Sequence, residues 1–175
     1  RFPTEDKGTL EWVLNVAVTR DRRAHTIDLS QELYIADLVR KYAPAAETLS
    51  RTYDTPLSEG TMFDSRHRPE LGSAEHDEME AYRTAYMSIV GGLLWLANMT
   101  FPELSYPASQ LARFLTNPGM QHYQAAMRVL TYVSQSRARR LRFAPDPEMR
   151  LDEKAVGGGF SLRDSQNATT SSHSL

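Results

Sequence analysis

The sequence predicts an α+β fold, in which an N-terminal β-hairpin is followed by a mostly helical region and a short C-terminal β segment. β-branched and aromatic residues alternate imperfectly over residues 10–18 and return over 25–29, which is typical of a hairpin with a turn at residues 21–24. Four later stretches repeat apolar residues every three or four positions, which predicts amphipathic helices. Residues 139–143 have the composition of a short strand, and residues 156–162 that of a weaker one.

Length and composition favour an ordinary globular domain. The 175 residues suit one domain or slightly more, and a hydrophobic content of 41% can supply a core. The longest apolar run, residues 89–97, is about half of the roughly 20 residues that span a bilayer, so no membrane partner is predicted. The absence of cysteine excludes disulfides and thiolate metal sites. It also favours an intracellular location, which leaves a cytoplasmic particle and the nucleus equally open.

The chain opens with arginine, lacks an initiator methionine and stops without a closing element, so we expect it to be a piece of a longer protein. Its net charge is only −2, but the charges are unevenly distributed. Residues 104–142 contain six arginines and no Asp or Glu, whereas residues 43–103 contain ten acidic residues and four arginines. This asymmetry indicates a side that faces a polyanion such as nucleic acid, although a solvated basic face fits it equally well.

Capping residues and prolines predict where the helices begin and end. Ser30 is placed to cap the first helix, which Pro44 ends. Thr100 and Glu103 have the spacing of a capping box for the third helix. Residues 117–118, an Asn-Pro pair, predict the start of the fourth helix with a cap and an N1 proline.

The second helix carries the longest apolar stripe, formed by Met79, Tyr82, Tyr86, Ile89, Val90, Leu93, Leu94 and Ala97. Gly91 and Gly92 interrupt it at a cost of about 1 kcal/mol each relative to Ala, which indicates that another element packs closely there. Pro107 lies inside the third helix and is expected to remove a hydrogen bond and bend it. The predicted stripe of the fourth helix consists of His122, Ala126, Val129, Leu130 and Val133. On that face, His122 is interpreted as a packing residue.

The residues themselves predict no independent active site. No Asp-Asp dipeptide occurs, and the adjacent acidic pairs 77–78 and 152–153 would point apart on a helix. The five histidines form no ligand pair at positions i and i+4. The glycines at 157–159 lack the spacing of a phosphate-binding loop.

Residues 82–97, Tyr-Arg-Thr-Ala-Tyr-Met-Ser-Ile-Val-Gly-Gly-Leu-Leu-Trp-Leu-Ala, resemble the Y-R-x-x-V-G-S-L-L-Y-L-A motif of copia-type LTR-retrotransposon polyproteins. Further stretches resemble motifs of the same family, namely residues 12–15 (Y-F-L-G), 29–35 (L-S-Q-x-x-Y-I), 100–106 (T-R-P-D-I-x-Y), 111–114 (L-S-R-F), 118–122 (P-x-x-x-H) and 126–132 (A-K-R-V-L-R-Y). These motifs occur in the family's order and at its spacing from about residue 2 to residue 143, which makes the resemblance specific.

The resemblance implies the reverse transcriptase region of the polyprotein, between the polymerase and RNase H. It divides the chain into a primer-grip-like hairpin with the first thumb helix (1–43), a loop or tether (44–77), a helical connection (78–136) and the start of a truncated, degenerate RNase H-like domain (137–175). The implied partners are an RNA/DNA primer-template duplex and the fingers and palm of the same polyprotein. The nucleic-acid-binding residues that it implies, together with the charge pattern, are Trp12, Asn15, Arg128, Arg137, Arg139, Arg140 and Arg142.

Departures from the family pattern limit what this chain is expected to do. Asn15 stands where the family has a glycine, and Phe101 stands where it has an arginine. The family's Y-V-D-D catalytic turn precedes the hairpin and is absent here. Residues 159–164 resemble the G-Y-S-D-A-D strand that opens RNase H, but its metal-binding Asp is Leu162 and only the second survives, as Asp164.

We therefore expect a fragment of a copia-type reverse transcriptase that positions primer and template but lacks the catalytic aspartates. The parent polyprotein would be an RNA-directed DNA polymerase with RNase H that uses Mg²⁺, whereas this chain alone would be inactive and hold no cofactor. The alternative is a decayed or domesticated remnant that acts only as a nucleic-acid-binding or protein-interaction module. An unfolded pseudogene product is the remaining alternative.

Overall fold

The computed structural model describes residues 8–43 and 51–145. In chain order its strands and α-helices are β1 (Trp12–Val13), β2 (Val16–Asp21), β3 (Thr26–Ser30), α1 (Glu32–Tyr42), α2 (Ala74–Met99), α3 (Ser105–Ala112), α4 (Met120–Gln135) and β4 (Leu141–Phe143). Short 3-10 helices, Ser65–His67 and Pro102–Leu104, precede α2 and α3. This order confirms the predicted α+β class. The chain divides into two units, Arg1–Ala144 and Pro145–Leu175, and all these elements lie in the first.

The predicted hairpin is present, but its first strand is not continuous. Residues 10–18 were expected to form one strand, whereas β1 and β2 are separated by a two-residue turn at Leu14 and Asn15, with φ of 49° and 63°. Positive φ at both central residues is the type I′ geometry that matches the twist of paired strands. The turn between β2 and β3 is confirmed, because the Asp21 carboxylate accepts hydrogen bonds from the N–H groups of Arg23 (2.8 Å) and Ala24 (3.0 Å).

The fourth strand of the sheet comes from the other end of the described chain. The strand order is β1-β2-β3-β4, and β4 pairs with β3 in antiparallel fashion. At the centre of this pairing, the Arg142 guanidinium donates two hydrogen bonds to the Asp28 carboxylate, at 2.6 and 2.7 Å. These hydrogen bonds hold the pKa of the Asp28 carboxyl below its usual value. The strand predicted at 139–143 is thus confirmed over its last three residues.

The hydrophobic core lies among the helices. Among the described residues, the members of the main buried cluster come from α1 to α4 and the segments next to them, and Val16 of β2 is the buried apolar residue that a strand contributes. All five predicted stripe residues of α4 are buried, and so are six of the eight predicted for α2. The two exceptions are Tyr82, which is 41% exposed, and Leu94, which is half-buried, while Leu96 is buried in addition.

The paired glycines of α2 have different environments. A Cβ on Gly92 would lie 2.8 Å from Cδ1 of Leu38 on α1, whereas a Cβ on Gly91 would have no atom within 4 Å beyond its chain neighbours and the nearby backbone of its own helix. The predicted close packing is therefore confirmed at Gly92 and wrong at Gly91.

Several predicted helix boundaries need correction. Gln31, not Ser30, is the N-cap of α1, although the Ser30 hydroxyl accepts a hydrogen bond from the N–H of Glu32 at 3.3 Å. The N-cap of α4 is Gly119, so α4 begins two residues after the predicted Asn-Pro start. Pro107 lies in the first turn of α3, where a missing N–H removes no intrahelical hydrogen bond, so the predicted loss of a hydrogen bond is wrong. The predicted stop at Pro44 lies outside the described residues, as does the predicted strand at 156–162.

The predicted capping box at Thr100 is also wrong, because the Thr100 side chain has a distant partner. Its hydroxyl donates a 2.7 Å hydrogen bond to Oε1 of Gln31, and both residues are buried. This contact ties the start of α1 to the end of α2. The third helical segment instead begins as the 3-10 turn Pro102–Leu104, with Phe101 at its N-cap.

Replacing Thr100 by Val should lower the free energy of unfolding by about 1–3 kcal/mol, because it leaves a buried amide oxygen without a donor. The Nε2 atom of Gln31 already has no hydrogen-bond partner within the described part of the chain. The same substitution at Thr19, which is exposed on β2, should change stability by less than about 0.5 kcal/mol. Urea denaturation of both variants provides the measurement, and equal losses would contradict the role of the Gln31 contact.

Candidate nucleic-acid interface

Trp12 and Arg142 lie on the same face of the sheet, at its opposite edges. Trp12 pairs with Ala17, and Ala17 with Ser30, whereas Arg142 pairs with Asp28, two residues from Ser30 on β3. Alternate residues of a strand share a face, so the Trp12 ring and the Arg142 guanidinium project to one side. Three strand spacings, roughly 14 Å, separate the strands that carry them. Trp12 is 45% exposed, and the Arg142 side chain is 64% exposed.

Asn15 has a conformational role in the turn that precedes β2. Its φ of 63° is in the left-handed region, which glycine adopts freely and asparagine tolerates better than most residues. The side chain therefore suits the backbone that a glycine would otherwise supply at this position. The neighbouring Leu14, with φ of 49° and an exposed side chain, adopts the same region at a greater steric cost.

The four arginines after α4 are all exposed, but two of them have carboxylate partners. Arg139 forms an ion pair with Glu103, and Arg142 forms one with Asp28. Arg137 and Arg140 form no ion pair with another described residue. Part of the predicted basic character is thus neutralised by carboxylates from distant segments of the chain.

Arg128, the remaining predicted arginine, lines a groove along α4. We call it the α4 groove, and it has a volume of about 550 Å³. Its lining residues are Tyr42, Arg51, Tyr53, Tyr123, Gln124, Met127, Arg128 and Thr131. Two guanidinium groups and three tyrosine rings contribute to it, and no carboxylate is among its described lining residues. Its surface is therefore both aromatic and positively charged.

The wall of the α4 groove opposite the helix is held in place by specific contacts. The Arg128 guanidinium lies 4.0 Å from the centre of the Tyr53 ring, and its Nη2 donates to the carbonyl of Thr55 at 3.3 Å. Gln135 holds the same segment, since its Oε1 accepts from the N–H of Tyr53 at 3.1 Å and its Nε2 donates to the carbonyl of Arg51. Residues 51–55 are thus attached to α4 at three points.

Most of the lining of the α4 groove was not predicted from the sequence. Only Arg128 was among the predicted nucleic-acid-binding residues, whereas Arg51 and Tyr53 lie in the stretch interpreted as a loop or tether. The available signal was the Arg-Thr-Tyr run at 51–53, an arginine and an aromatic residue in an otherwise polar segment. Nothing local connects that run to Gln135, which is more than 80 positions away.

The predicted RNase H positions, Leu162 and Asp164, lie outside the described residues. Within residues 8–43 and 51–145, no three His, Cys, Asp or Glu side chains are grouped as metal ligands would be. None of the helices in those ranges combines the length and the apolar character needed to cross a membrane.

Comparison with known proteins identifies relatives of the chain. A retrovirus-related Pol polyprotein from transposon TNT 1-94 of Nicotiana tabacum is 25% identical over 132 residues, which is 75% of this chain and 10% of that protein. The Pol polyprotein from transposon RE1 of Arabidopsis thaliana is 28% identical over 134 residues, 77% of this chain and 8% of that protein. A putative transposon Ty5-1 protein of Saccharomyces cerevisiae is 43% identical over 86 residues, 49% of this chain and 28% of that protein. No protein-family model and no solved structure matches the chain.

These relatives are all transposon proteins. The chain is homologous to retrotransposon Pol polyproteins over about three quarters of its length, which confirms the predicted family resemblance. It spans a tenth or less of the plant polyproteins that it matches. The stretch that is similar lies within copia-type retrotransposon Pol polyproteins.

Proposed function

We propose that this chain is the primer-grip, thumb and connection part of a copia-type reverse transcriptase, and that it positions an RNA/DNA primer-template duplex. The observation that carries the proposal is the homology to Pol polyproteins over about three quarters of the chain. The order of elements, a hairpin sheet followed by helices, agrees with the part of the polyprotein that the motifs resemble.

The exposed side chains have suitable chemistry for holding a duplex. Arg137 and Arg140 supply exposed cations that form no ion pair with a described residue, and such groups bind phosphates irrespective of sequence. Trp12 offers an exposed aromatic surface on the sheet face that also carries Arg142. Positioning, and not bond formation, is the chemistry that these groups support.

Binding of a labelled RNA/DNA hybrid at increasing salt concentration tests the proposal. Because each phosphate contact releases counterions, the affinity of the wild-type chain should fall steeply and linearly on a log–log plot. The double variant Arg137→Gln/Arg140→Gln should bind more weakly at low salt and reduce the slope by up to about 2.

The matched control is Arg40→Gln/Arg83→Gln, which removes two arginines that already pair with Asp37 and Glu80 on their own helices. It should leave the slope nearly unchanged. The proposal is overturned by binding that does not depend on salt, or by equal effects of the two double variants. We also expect no polymerase activity from this chain alone, so metal-dependent nucleotide incorporation by the purified chain would contradict the assignment of a positioning role.

A protein-interaction module is the second candidate, and the exposed apolar residues at the start of the sheet favour it. Leu10, Trp12, Val13 and Leu14 are each more than a third exposed. Such a module would show no salt-dependent binding of nucleic acid and would form a stable oligomer in light scattering.

A further inference from the structure

We propose that the α4 groove binds an unpaired nucleotide of a single-stranded segment, with the base against the tyrosine rings and the phosphate at Arg51 and Arg128. The inference deepens the proposed function and rests on it, since it assumes that the chain binds nucleic acid. It adds a place for a strand that continues beyond the duplex. The volume of about 550 Å³ is within the range of small-molecule sites.

The aromatic side of the α4 groove comes from three different elements. Tyr42 ends α1, Tyr53 lies in the segment held by Gln135, and Tyr123 lies in the first turn of α4. All three side chains are half-buried, so each offers part of its surface to a ligand while the rest is supported by protein. Stacking on aromatic rings is the interaction that holds single-stranded bases regardless of their sequence.

The two arginines of the α4 groove favour an anionic ligand. Arg128 is half-buried, its Nη2 donates to the Thr55 carbonyl, and its buried Nε has no hydrogen-bond partner within the described chain. Arg51 is exposed, and neither arginine forms an ion pair with a described carboxylate. A partly desolvated guanidinium without a counter-charge is stabilised by an anionic partner, and phosphate matches its planar set of donors.

The contacts of Gln135 and Arg128 place these groups before any ligand arrives. The segment that carries Arg51 and Tyr53 is hydrogen-bonded to α4 through its backbone, so the Arg51 side chain remains available, while one face of the Tyr53 ring is already supported by Arg128. Fewer side chains and less of the loop then lose conformational entropy when a ligand binds, which favours higher affinity.

An unpaired nucleotide fits this arrangement better than a base pair does. In a duplex the faces of the bases are covered by their neighbours, so only the phosphates could reach the α4 groove. An unpaired nucleotide presents a free base face and a phosphate together. The groove therefore discriminates between single strands and duplexes by requiring both groups at once.

Fluorescence anisotropy with three probes tests the inference on the full chain. The probes are a blunt RNA/DNA hybrid, the same hybrid with a five-nucleotide single-stranded overhang, and that hybrid with an abasic overhang. We expect about tenfold tighter binding of the normal overhang than of the blunt hybrid. The abasic overhang, which keeps the phosphates but lacks the bases, should lose most of this preference.

Variants then assign the preference to the α4 groove. Arg51→Gln and Tyr53→Leu should each remove most of the overhang preference, measured as the ratio of overhang to blunt affinity in the same variant, whereas Arg83→Gln, with the same change in charge as Arg51→Gln, should keep that ratio. Arg51 is exposed, so its variant should fold normally, and thermal melting checks this.

The outcomes separate this inference from the proposed function. Equal binding of the blunt and overhang probes, or an overhang preference that Arg51→Gln and Tyr53→Leu both leave unchanged, would overturn the inference and leave the proposed function standing. Failure to bind any probe would overturn both. A tyrosine-phosphorylated peptide that binds the wild-type chain but not the Arg51 variant, in the absence of overhang preference, would assign the groove to a protein partner instead.

Discussion

Replacing Gly119 by Ala should lower the free energy of unfolding by about 2–3 kcal/mol, the upper part of the range for inserting a methyl group into a packed site. A Cβ at Gly119 would lie 2.2 Å from the carbonyl oxygen of His67. The backbone of Gly119, with φ of −95° and ψ of 171°, suits any residue, so the cost is entirely steric. The obstructing atom belongs to the backbone of the 3-10 helix Ser65–His67, which Asp64 caps by accepting from the N–H of Arg66. It therefore has little freedom to move aside.

Gly91→Ala is the matched control, because the same methyl group there meets no atom within 4 Å beyond its chain neighbours and the nearby backbone of α2. Alanine is the better helix former, so this variant should gain up to about 1 kcal/mol. At Gly92 the nearest atoms belong to the flexible Leu38 side chain, so Gly92→Ala should fall between the other two. Urea denaturation ranks the three variants. A Gly119 variant that is as stable as the wild type would show that the segment around His67 can shift.

Local periodicity predicted the helical core well, because the spacing of apolar residues within each helix is sufficient to identify its buried face. The apolar stripe of α4 is buried as predicted, since its burial requires only that some apolar surface pack against it and not one particular partner. The helix boundaries were less predictable because capping groups have several possible partners. Thr100 and Glu103 have the correct spacing for a capping box, yet Thr100 bonds to Gln31, which is 69 positions away.

Long-range pairing limited prediction of the candidate interface in the same way. The residue types at 139–143 indicated a strand, but nothing in them indicated that Arg142 pairs with Asp28 across 114 positions. The α4 groove likewise depends on Gln135 binding the backbone of Arg51 and Tyr53. A segment that is held through its backbone groups has no particular side-chain composition, so such a contact cannot be recognised from residue types. The sequence therefore predicted Arg128 as a nucleic-acid-binding residue without indicating the groove that it lines.

A drop in pH should destabilise the protein through His122, the packing histidine at the start of α4. Its ring is fully buried and stacks on Phe114, with a distance of 4.0 Å between ring centres. Burial lowers its pKa from 6.5 to about 4, and the electrostatic effect of the neighbouring His67 and Arg68 side chains acts in the same direction. The neutral ring is also the form that accepts the 2.9 Å hydrogen bond from the N–H of Gly119 at Nδ1.

The sign of this pH dependence follows from the number of protons that the folded and unfolded chains bind at His122. Between pH 6.5 and about 4 the unfolded chain protonates His122 while the folded chain does not, so the free energy of unfolding falls as the pH falls. Over this interval the loss approaches about 3 kcal/mol, at about 1.4 kcal/mol for each pKa unit. His122→Gln should remove this dependence. A glutamine at this helix position can still accept from the N-cap N–H, but it does not titrate.

Urea denaturation at pH 7, 5.5 and 4.5 should therefore show the wild type losing stability relative to His122→Gln as the pH falls. The same comparison with His25→Gln, a substitution at an exposed histidine in the β2–β3 turn, controls for the loss of a histidine as such. All three proteins share the same carboxylates, so acid effects common to them cancel in the differences. A constant stability difference between wild type and His122→Gln at all three pH values would show that folding does not hold His122 neutral. A changing difference, with His25→Gln parallel to the wild type, would assign the acid sensitivity to the burial of the His122 ring.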